Sequence, residues 1–350
     1  MKTNKSTLLK YIFIVVALIV MALLIDVHQF IELMKQISIP FFFVVILVVI
    51  FDQAFMGAKW NFLLHVFKVD VPYWVPILAY LRGRIFMFVA PSSLGLDAYK
   101  LYCVRKYHKK SSPIISSIVI ERSFGILSSL AIVLLLLPFS IHIFDFAYKD
   151  YIVLISITGF ISLCLVLHFI QSRADLALKL RLPRFLPEKI HSLLDAFVTN
   201  IAKLKHGRRQ VWIYFFLSIA EKTSYGLAIY FSARAIGLSE PGLLLIISIA
   251  PVVALLERLP VSVSAIGIRE GLFVILFAPF YDDITIPITI SLVLRAAEMI
   301  QMLVFLLSWF IGRKPQAIEE ELHQVETEYE NYNKLSSQSP GADEDNISPK

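Results

Sequence analysis

Charge is scarce in this 350-residue sequence: Asp, Glu, Lys and Arg make up 17% of it, against 57% hydrophobic residues. An ordinary soluble domain carries about 25% charge, so the deficit, with a mean hydropathy of +0.72, makes lipid rather than water the solvent for most of the chain. Cysteine is nearly absent, and Cys103 and Cys164 have no spacing for zinc, redox chemistry or a disulfide framework. Gly (13) and Pro (16) are not enriched, and no fixed-period repeat of about 20–50 residues is visible, which argues against a solenoid or a barrel. Catalytic signatures are missing too: there is no Walker loop, no His-Glu-x-x-His and no Gly-x-Ser-x-Gly. ATP hydrolysis, metal chemistry and an enzymatic role are therefore not expected, and no cofactor is implied.

What is present is apolar sequence in long runs. Stretches of about 20 residues fall at 11–27, 38–58, 113–138, 151–171, 211–235 and 287–311, each enough for a helix to cross the bilayer. The first follows Lys2–Lys10 and resembles a signal peptide. It runs long and has no small-x-small site before Asp26, so it reads as an uncleaved span. Two further apolar regions, 72–97 and 242–280, are interrupted by Pro, Gly, Ser and charge, which a lipid-facing helix tolerates badly.

Loop charges decide how to count these regions, because short cytoplasmic loops carry the Lys and Arg excess. The N-terminus (Lys2, Lys5, Lys10), the Lys59–Lys68 region, the cluster Lys100, Arg105, Lys106, Lys109 and Lys110, and Arg173–Arg209 are all basic. One crossing over 72–97 would put the Lys100–Lys110 cluster outside, whereas a re-entrant pair of half-helices keeps it inside. Treating 242–280 as re-entrant from the acidic Tyr281-Asp282-Asp283 side brings Arg313-Lys314 to the cytoplasm. The expected fold class is thus an all-α polytopic membrane protein with about six full spans plus two re-entrant or broken helical segments. Entry of those segments from opposite faces would mark an inverted repeat with a midplane site; a plain eight-span bundle is the alternative.

Residues 1–314 read as the transmembrane domain, including a basic, amphipathic cytoplasmic segment at 172–209 (Leu176, Leu180, Leu182, Ile190, Leu193, Leu194, Phe197) suited to the membrane interface. Residues 315–350 hold nine acids and two lysines, so the net +6 divides into −7 for this tail and +13 for the rest. The tail has too little apolar content to fold alone and is expected to be largely disordered in the cytoplasm. The basic membrane portion suits anionic lipid headgroups, not nucleic acid, whose recognition motifs are absent.

A charge near the bilayer centre costs roughly 2.5–3.5 kcal/mol on insertion scales, so each one here is informative. Arg82 and Arg84 lie in the first broken region, Asp97 follows its Pro-Ser-Ser-Leu-Gly breaker, and Glu121-Arg122 lies in span 113–138. Glu221-Lys222 lies in span 211–235, Glu257-Arg258 and Arg269-Glu270 flank the second breaker, and Arg295 and Glu298 sit in the last span. Structural salt bridges are one reading. The other is a hydrated pocket for an anion, because buried ion pairs rarely beat apolar packing.

The breakers favour phosphate. A helix starting near Pro91-Ser92-Ser93-Leu94-Gly95 would point free N–H groups inward, with Ser92 or Ser93 as cap and Lys100 nearby. Pro260–Gly267 repeats the plan with Ser262, Ser264, Gly267 and Arg269. The residues expected to bind an anionic headgroup are Arg82, Ser92, Ser93, Gly95, Lys100, Arg122, Arg258, Ser262, Ser264, Gly267 and Arg269. Asp97, Glu121, Glu270, Arg295 and Glu298 are expected to balance or couple charge.

These pieces resemble a known family. Arg82, Pro91 to Asp97, Lys100, the run Glu121-Arg122-Ser123-Phe124-Gly125, and the run from Pro260 to Gly271 are similar to the flippase-like transmembrane region of lysylphosphatidylglycerol synthases and its stand-alone relatives. The likeness spans residues 10–312. It implies a bacterial or archaeal cytoplasmic-membrane protein that moves an aminoacylated phospholipid or a polyprenyl-phosphate-linked glycan between leaflets. The family has a Gly-rich stretch and an Arg where this chain has Ser92-Ser93, Leu96 and Lys100, which points to a different headgroup. Only the acidic tail follows Arg313, so lysyl transfer is not expected. Implied partners are a membrane lipid or lipid-linked substrate and, for the alternative of an accessory or enzymatic component of glycolipid or cell-envelope glycan assembly, a glycosyltransferase or an aminoacyl-lipid synthase. Nothing in the sequence specifies an oligomeric state.

Overall fold

The computed structural model describes residues 26–86, 94–140, 208–239, 242–257, 266–277, 280–281 and 283–310, with scattered residues between 154 and 168 and residues 324 and 327. The first apolar stretch up to residue 25, most of 151–171, the interfacial segment at 172–207 and nearly all of the tail lie outside these residues. Every regular element among them is an α-helix: α1 (Val27–Lys35), α2 (Ile39–Val66), α3 (Trp74–Gly83), α4 (Leu94–Arg105), α5 (Ser111–Ser140), α6 (Arg208–Ala235), α7 (Leu243–Leu256), α8 (Ile268–Phe277) and α9 (Thr285–Phe310). The chain is an all-α multi-pass membrane protein. Within α2, α5 and α9, the stretches Ile39–Val66, Ser111–Leu136 and Thr285–Ser308 are long and apolar enough to cross a bilayer.

Both interrupted regions are broken in the structure, and the four helices described within them are 10 to 14 residues long. At 1.5 Å per residue they measure about 15–21 Å, short of the roughly 30 Å hydrocarbon core. α3 and α4 fold back on each other: Gly83 abuts Leu96 and Tyr99, while Tyr80, one turn earlier, meets Lys100 one residue further on. This hairpin returns the chain to the side it came from, which disfavours a plain eight-span bundle.

α2 outlasts its expected end at residue 58 by eight residues. Lys59 and Asn61, which read as the start of a loop, are buried inside the helix. Lys59 does not terminate the span because its charge is met across the bundle by Glu221. A nine-residue α1, capped by the Asp26 carboxylate on His28 N (2.9 Å) and Gln29 N (3.1 Å), was not anticipated either.

The element order repeats itself as long, short, short, long. α2 and α6 are both 28 residues and start 169 positions apart (39 and 208). The same shift relates several details. α2 ends in a Schellman turn, with Lys68 N bonding His65 O (2.9 Å), Val69 N bonding Leu64 O (2.9 Å) and Lys68 at φ 57°. α6 ends identically: Gly237 N bonds Arg234 O (3.1 Å), Leu238 N bonds Ala233 O (3.1 Å), and Gly237 has φ 85°. A Cβ on Gly57 would stand 2.5 Å from the Ile77 Cα of α3, and one on Gly226 would stand 3.1 Å from the Ile247 Cα of α7. Each long helix therefore seats the short helix that follows it through a glycine.

The two halves run in opposite directions. Along α2, Ser38, Asp52, Lys59 and Phe62 meet Ala235, Ser224, Glu221 and Tyr214 of α6 in descending order. Equivalent helices that pack antiparallel are related by a two-fold axis perpendicular to them, which is the inverted-repeat geometry. Substituting the seating glycines tests the packing. Gly57→Ala is expected to lower the unfolding temperature of the detergent-solubilised protein and Gly226→Ala to lower it less, overpacking costing about 1–3 kcal/mol; equal, negligible shifts would contradict the close approach.

Candidate functional site

The two breaks meet at one carboxylate. Arg84 ends α3 at the first break, and Arg269 opens α8 just after the second. Arg84 Nη2 lies 2.6 Å from Glu298 Oε1, and Arg269 Nη1 lies 2.8 Å from Glu298 Oε2. Arg269 turns its other edge to Glu257, the C-cap of α7, with Nε 2.5 Å and Nη2 3.4 Å from the carboxylate oxygens. Tyr225 of α6 donates to Glu257 Oε1 at 2.9 Å. The result is an alternating chain, Arg84–Glu298–Arg269–Glu257–Tyr225, in which charge-assisted bonds satisfy the fork of Arg269. Arg84 and Glu298 keep 18% and 11% of their side-chain surface accessible, so the chain is reachable rather than sealed.

Beside it, Glu270 works as the third residue of α8. Its Oε2 accepts from Gly267 N (2.8 Å), the helix N-cap position, in half of a capping box. Its Oε1 accepts from Arg295 Nη2 (2.8 Å) and Nε (3.0 Å) and from Ser291 Oγ (3.4 Å). The left-handed Gly267, at φ 85°, gives the turn into the helix a conformation that a side chain would oppose.

The first half builds the counterpart. Asp97, in the first turn of α4, pairs with Arg122 of α5. Like Glu270 and Arg295, the two are 25 positions apart. Lys100 pairs with Glu121, donates to the Tyr80 hydroxyl at 2.8 Å and lies 3.8 Å from Asp97; the Tyr80 hydroxyl also donates to Glu121. Lys100 Nζ stands 4.4 Å above the Trp60 ring and 4.5 Å above Tyr80, a desolvated cation–π box. Trp60 Nε1 is fixed by Ser117 Oγ at 3.0 Å.

A third cluster joins the halves through α2 and α6. Glu221 accepts from Lys59 Nζ (2.9 Å) and Lys222 Nζ (2.7 Å). Ser224 bonds Asp52, and Gln53 Nε2 donates to the other Asp52 oxygen at 3.2 Å. All of these side chains are buried.

Of the residues named from sequence, the structure brings Arg269 and Glu298 together, Glu270 and Arg295 with Gly267, and Asp97, Lys100, Glu121 and Arg122. Gly95 lies inside the first turn of α4 rather than before it. Arg82 is half-buried, makes no ion pair among the described residues, and has its Nε buried without a hydrogen-bond partner. Ser92, Ser93, Arg258, Ser262 and Ser264 lie outside the described residues. Sequence reasoning passed over Asp52, Lys59, Tyr80 and Tyr225 and left Arg84 and Glu257 off the site. The available signal was an acid at the centre of each of two 28-residue helices set 169 positions apart.

The model of the lysylphosphatidylglycerol synthase TM region matches residues 8–309. The chain belongs to this family. No curated protein and no solved structure matches the chain. As a member of the lysylphosphatidylglycerol synthase transmembrane family it is a membrane protein of lipid-related or envelope processes, and all three charge clusters fall within the matched residues.

Proposed function

We propose that this protein moves an anionic phospholipid or a polyprenyl-phosphate-linked lipid between the leaflets of the cytoplasmic membrane, binding the phosphate where the two helix breaks meet. The convergence of Arg84 and Arg269, one from each broken segment, on the single carboxylate of Glu298 carries this reading. A phosphate oxygen pair matches a carboxylate in size and charge and engages guanidinium forks in the same bidentate way. Glu298 thus holds a position for which a headgroup phosphate competes.

Arg82, two residues before Arg84, adds positive charge that no described carboxylate neutralises, and its buried Nε needs an acceptor. The first-half cluster around Lys100 is internally matched and would serve to hold the α3–α4 hairpin, with Asp97–Arg122 as the mirror of Glu270–Arg295. The basic clusters at the N-terminus, 100–110 and 173–209 support cytoplasmic termini, with residues 1–314 as the membrane domain and 315–350 as an acidic tail.

Reconstitution tests the proposal. Vesicles containing labelled phosphatidylglycerol or a labelled polyprenyl phosphate, assayed with a membrane-impermeant quencher, are expected to show protein-dependent exchange of one of these lipids. Arg82→Ala is expected to slow that exchange about tenfold or more, since a hydrogen bond to a charged group is worth about 1.5–3 kcal/mol, while leaving the unfolding temperature unchanged or higher. Exchange by Arg82→Ala at the wild-type rate would remove Arg82 from the site, and no exchange of either lipid by the wild type would overturn the function.

A further inference from the structure

The cluster between α2 and α6 stands on the axis that relates the two halves. Residues of α2 and α6 that face each other sum to nearly the same number (52 with 224, 62 with 214), while equivalent residues differ by 169. Both conditions hold together near Asp52 and Glu221. These two acids are each other's equivalents, and each lies at the midpoint of its 28-residue helix. They therefore occupy the level of the bilayer centre, where ionised groups cost most.

The two equivalents are treated unequally. Both lysines of the cluster, Lys59 and Lys222, bond Glu221. Asp52 has no cationic group within ion-pair distance among the described residues; its oxygens meet only the Ser224 hydroxyl and the Gln53 amide. The charged groups whose fields reach it are Glu221 and Lys222 on α6 and Arg84 at the end of α3, and Arg84 is itself held by Glu298 of α9.

Proton counting adds a second constraint. The Ser224 hydroxyl lies within bonding distance of two acceptors, Asp52 Oδ1 and the Glu221 backbone carbonyl (2.7 Å), yet it has one hydrogen. If that hydrogen goes to the carbonyl, the contact with Asp52 needs a proton on Asp52, donated to Ser224 Oγ. If it goes to Asp52, the carboxylate is the ionised acceptor. Ser224 can turn between these two arrangements without any change in heavy-atom positions.

We propose that Asp52 is a proton-binding site on the two-fold axis: it takes up a proton with Ser224 turned to the Glu221 carbonyl, and releases it with Ser224 turned back. On uptake the cluster of Asp52, Glu221, Lys59 and Lys222 passes from neutral to +1, and on release it returns to neutral. Where this rests on the transport reading above, the consequence is that lipid movement is coupled to protons.

Infrared difference spectroscopy of the full-length protein in lipid nanodiscs tests the site, and a proton gradient across reconstituted vesicles tests the coupling. Wild type is expected to show a protonated-carboxyl stretch that titrates and shifts in deuterium oxide. Asp52→Asn is expected to lose that band together with the gradient response of labelled-lipid movement, and Asp52→Glu to keep both with a displaced midpoint. Ser224→Ala is expected to shift the band without abolishing it. A band unchanged in Asp52→Asn, or no titrating carboxyl in wild type, overturns the proton site. A titrating Asp52 band in a wild type that moves no lipid supports the site and overturns transport; lipid movement indifferent to the gradient overturns the coupling.

Discussion

Glu221→Gln is expected to destabilise the folded protein by about 3–5 kcal/mol, the cost of stranding a buried charge when its partner is removed. Glu221 is the shared anion of Lys59 and Lys222, whose side chains are 1% and 2% accessible, and its loss leaves two ammonium groups close together in hydrocarbon. Thermal unfolding in detergent, followed by intrinsic fluorescence, measures the effect. Exchanging Lys59→Met and Lys222→Met along with Glu221→Gln is expected to recover most of the stability, because removing a whole buried ion cluster is often neutral. A triple variant as unstable as the single one would show that the lysines matter for something other than their charge.

The second large effect is expected at Arg269. Arg269→Ala strands Glu257, whose remaining hydrogen bond among the described residues is from Tyr225, and leaves Glu298 with Arg84 as its one direct ion-pair partner among them. Lipid exchange in vesicles is expected to fall by about a hundredfold or more, which corresponds to roughly 3 kcal/mol, with a similar loss of stability. Arg269→Lys is expected to fail nearly as badly. The native side chain uses three nitrogens against two carboxylates, and a single ammonium cannot reproduce that fork. The controlled comparison is Arg269→Ala with both Glu257→Gln and Glu298→Gln: if the arginine matters only for neutralising its two carboxylates, the triple variant restores exchange, whereas a headgroup role keeps it inactive.

The positions of both breaks are legible in the sequence because Pro, Gly and Ser interrupt otherwise apolar runs, and no helix in lipid hides such an interruption. Arg269 and Glu298 are legible as a site for a related reason: each is an isolated charge beside a break or within a span. The cluster of Asp52 and Lys59 is not, because its meaning depends on residues 162 and 172 positions away. Read locally, Lys59 is the natural end of a span, and Asp52 is a lone acid in the apolar stretch 38–58. Likewise Lys100 reads as a free cation for an anion, and only the packing of α3, α4 and α5 reveals Glu121, Tyr80 and Trp60 around it. Charge counts along the chain convey how many groups are buried, but pairing is a property of the third dimension.

The opposed directions of α2 and α6 carry an implication for biogenesis. The α3–α4 hairpin sends α5 back against α2 and therefore alongside α6, so α5 finishes on the face of the bilayer opposite to where α6 begins. Between them the sequence holds one apolar stretch, 151–171, of a length that suits a bilayer crossing. Read as a span, it sets parity: excising it is expected to leave the second copy facing the same way as the first, with the positive-inside signal of 173–209 opposing insertion. A stretch of sequence remote along the chain from either break would then decide whether Arg84 and Arg269 ever meet.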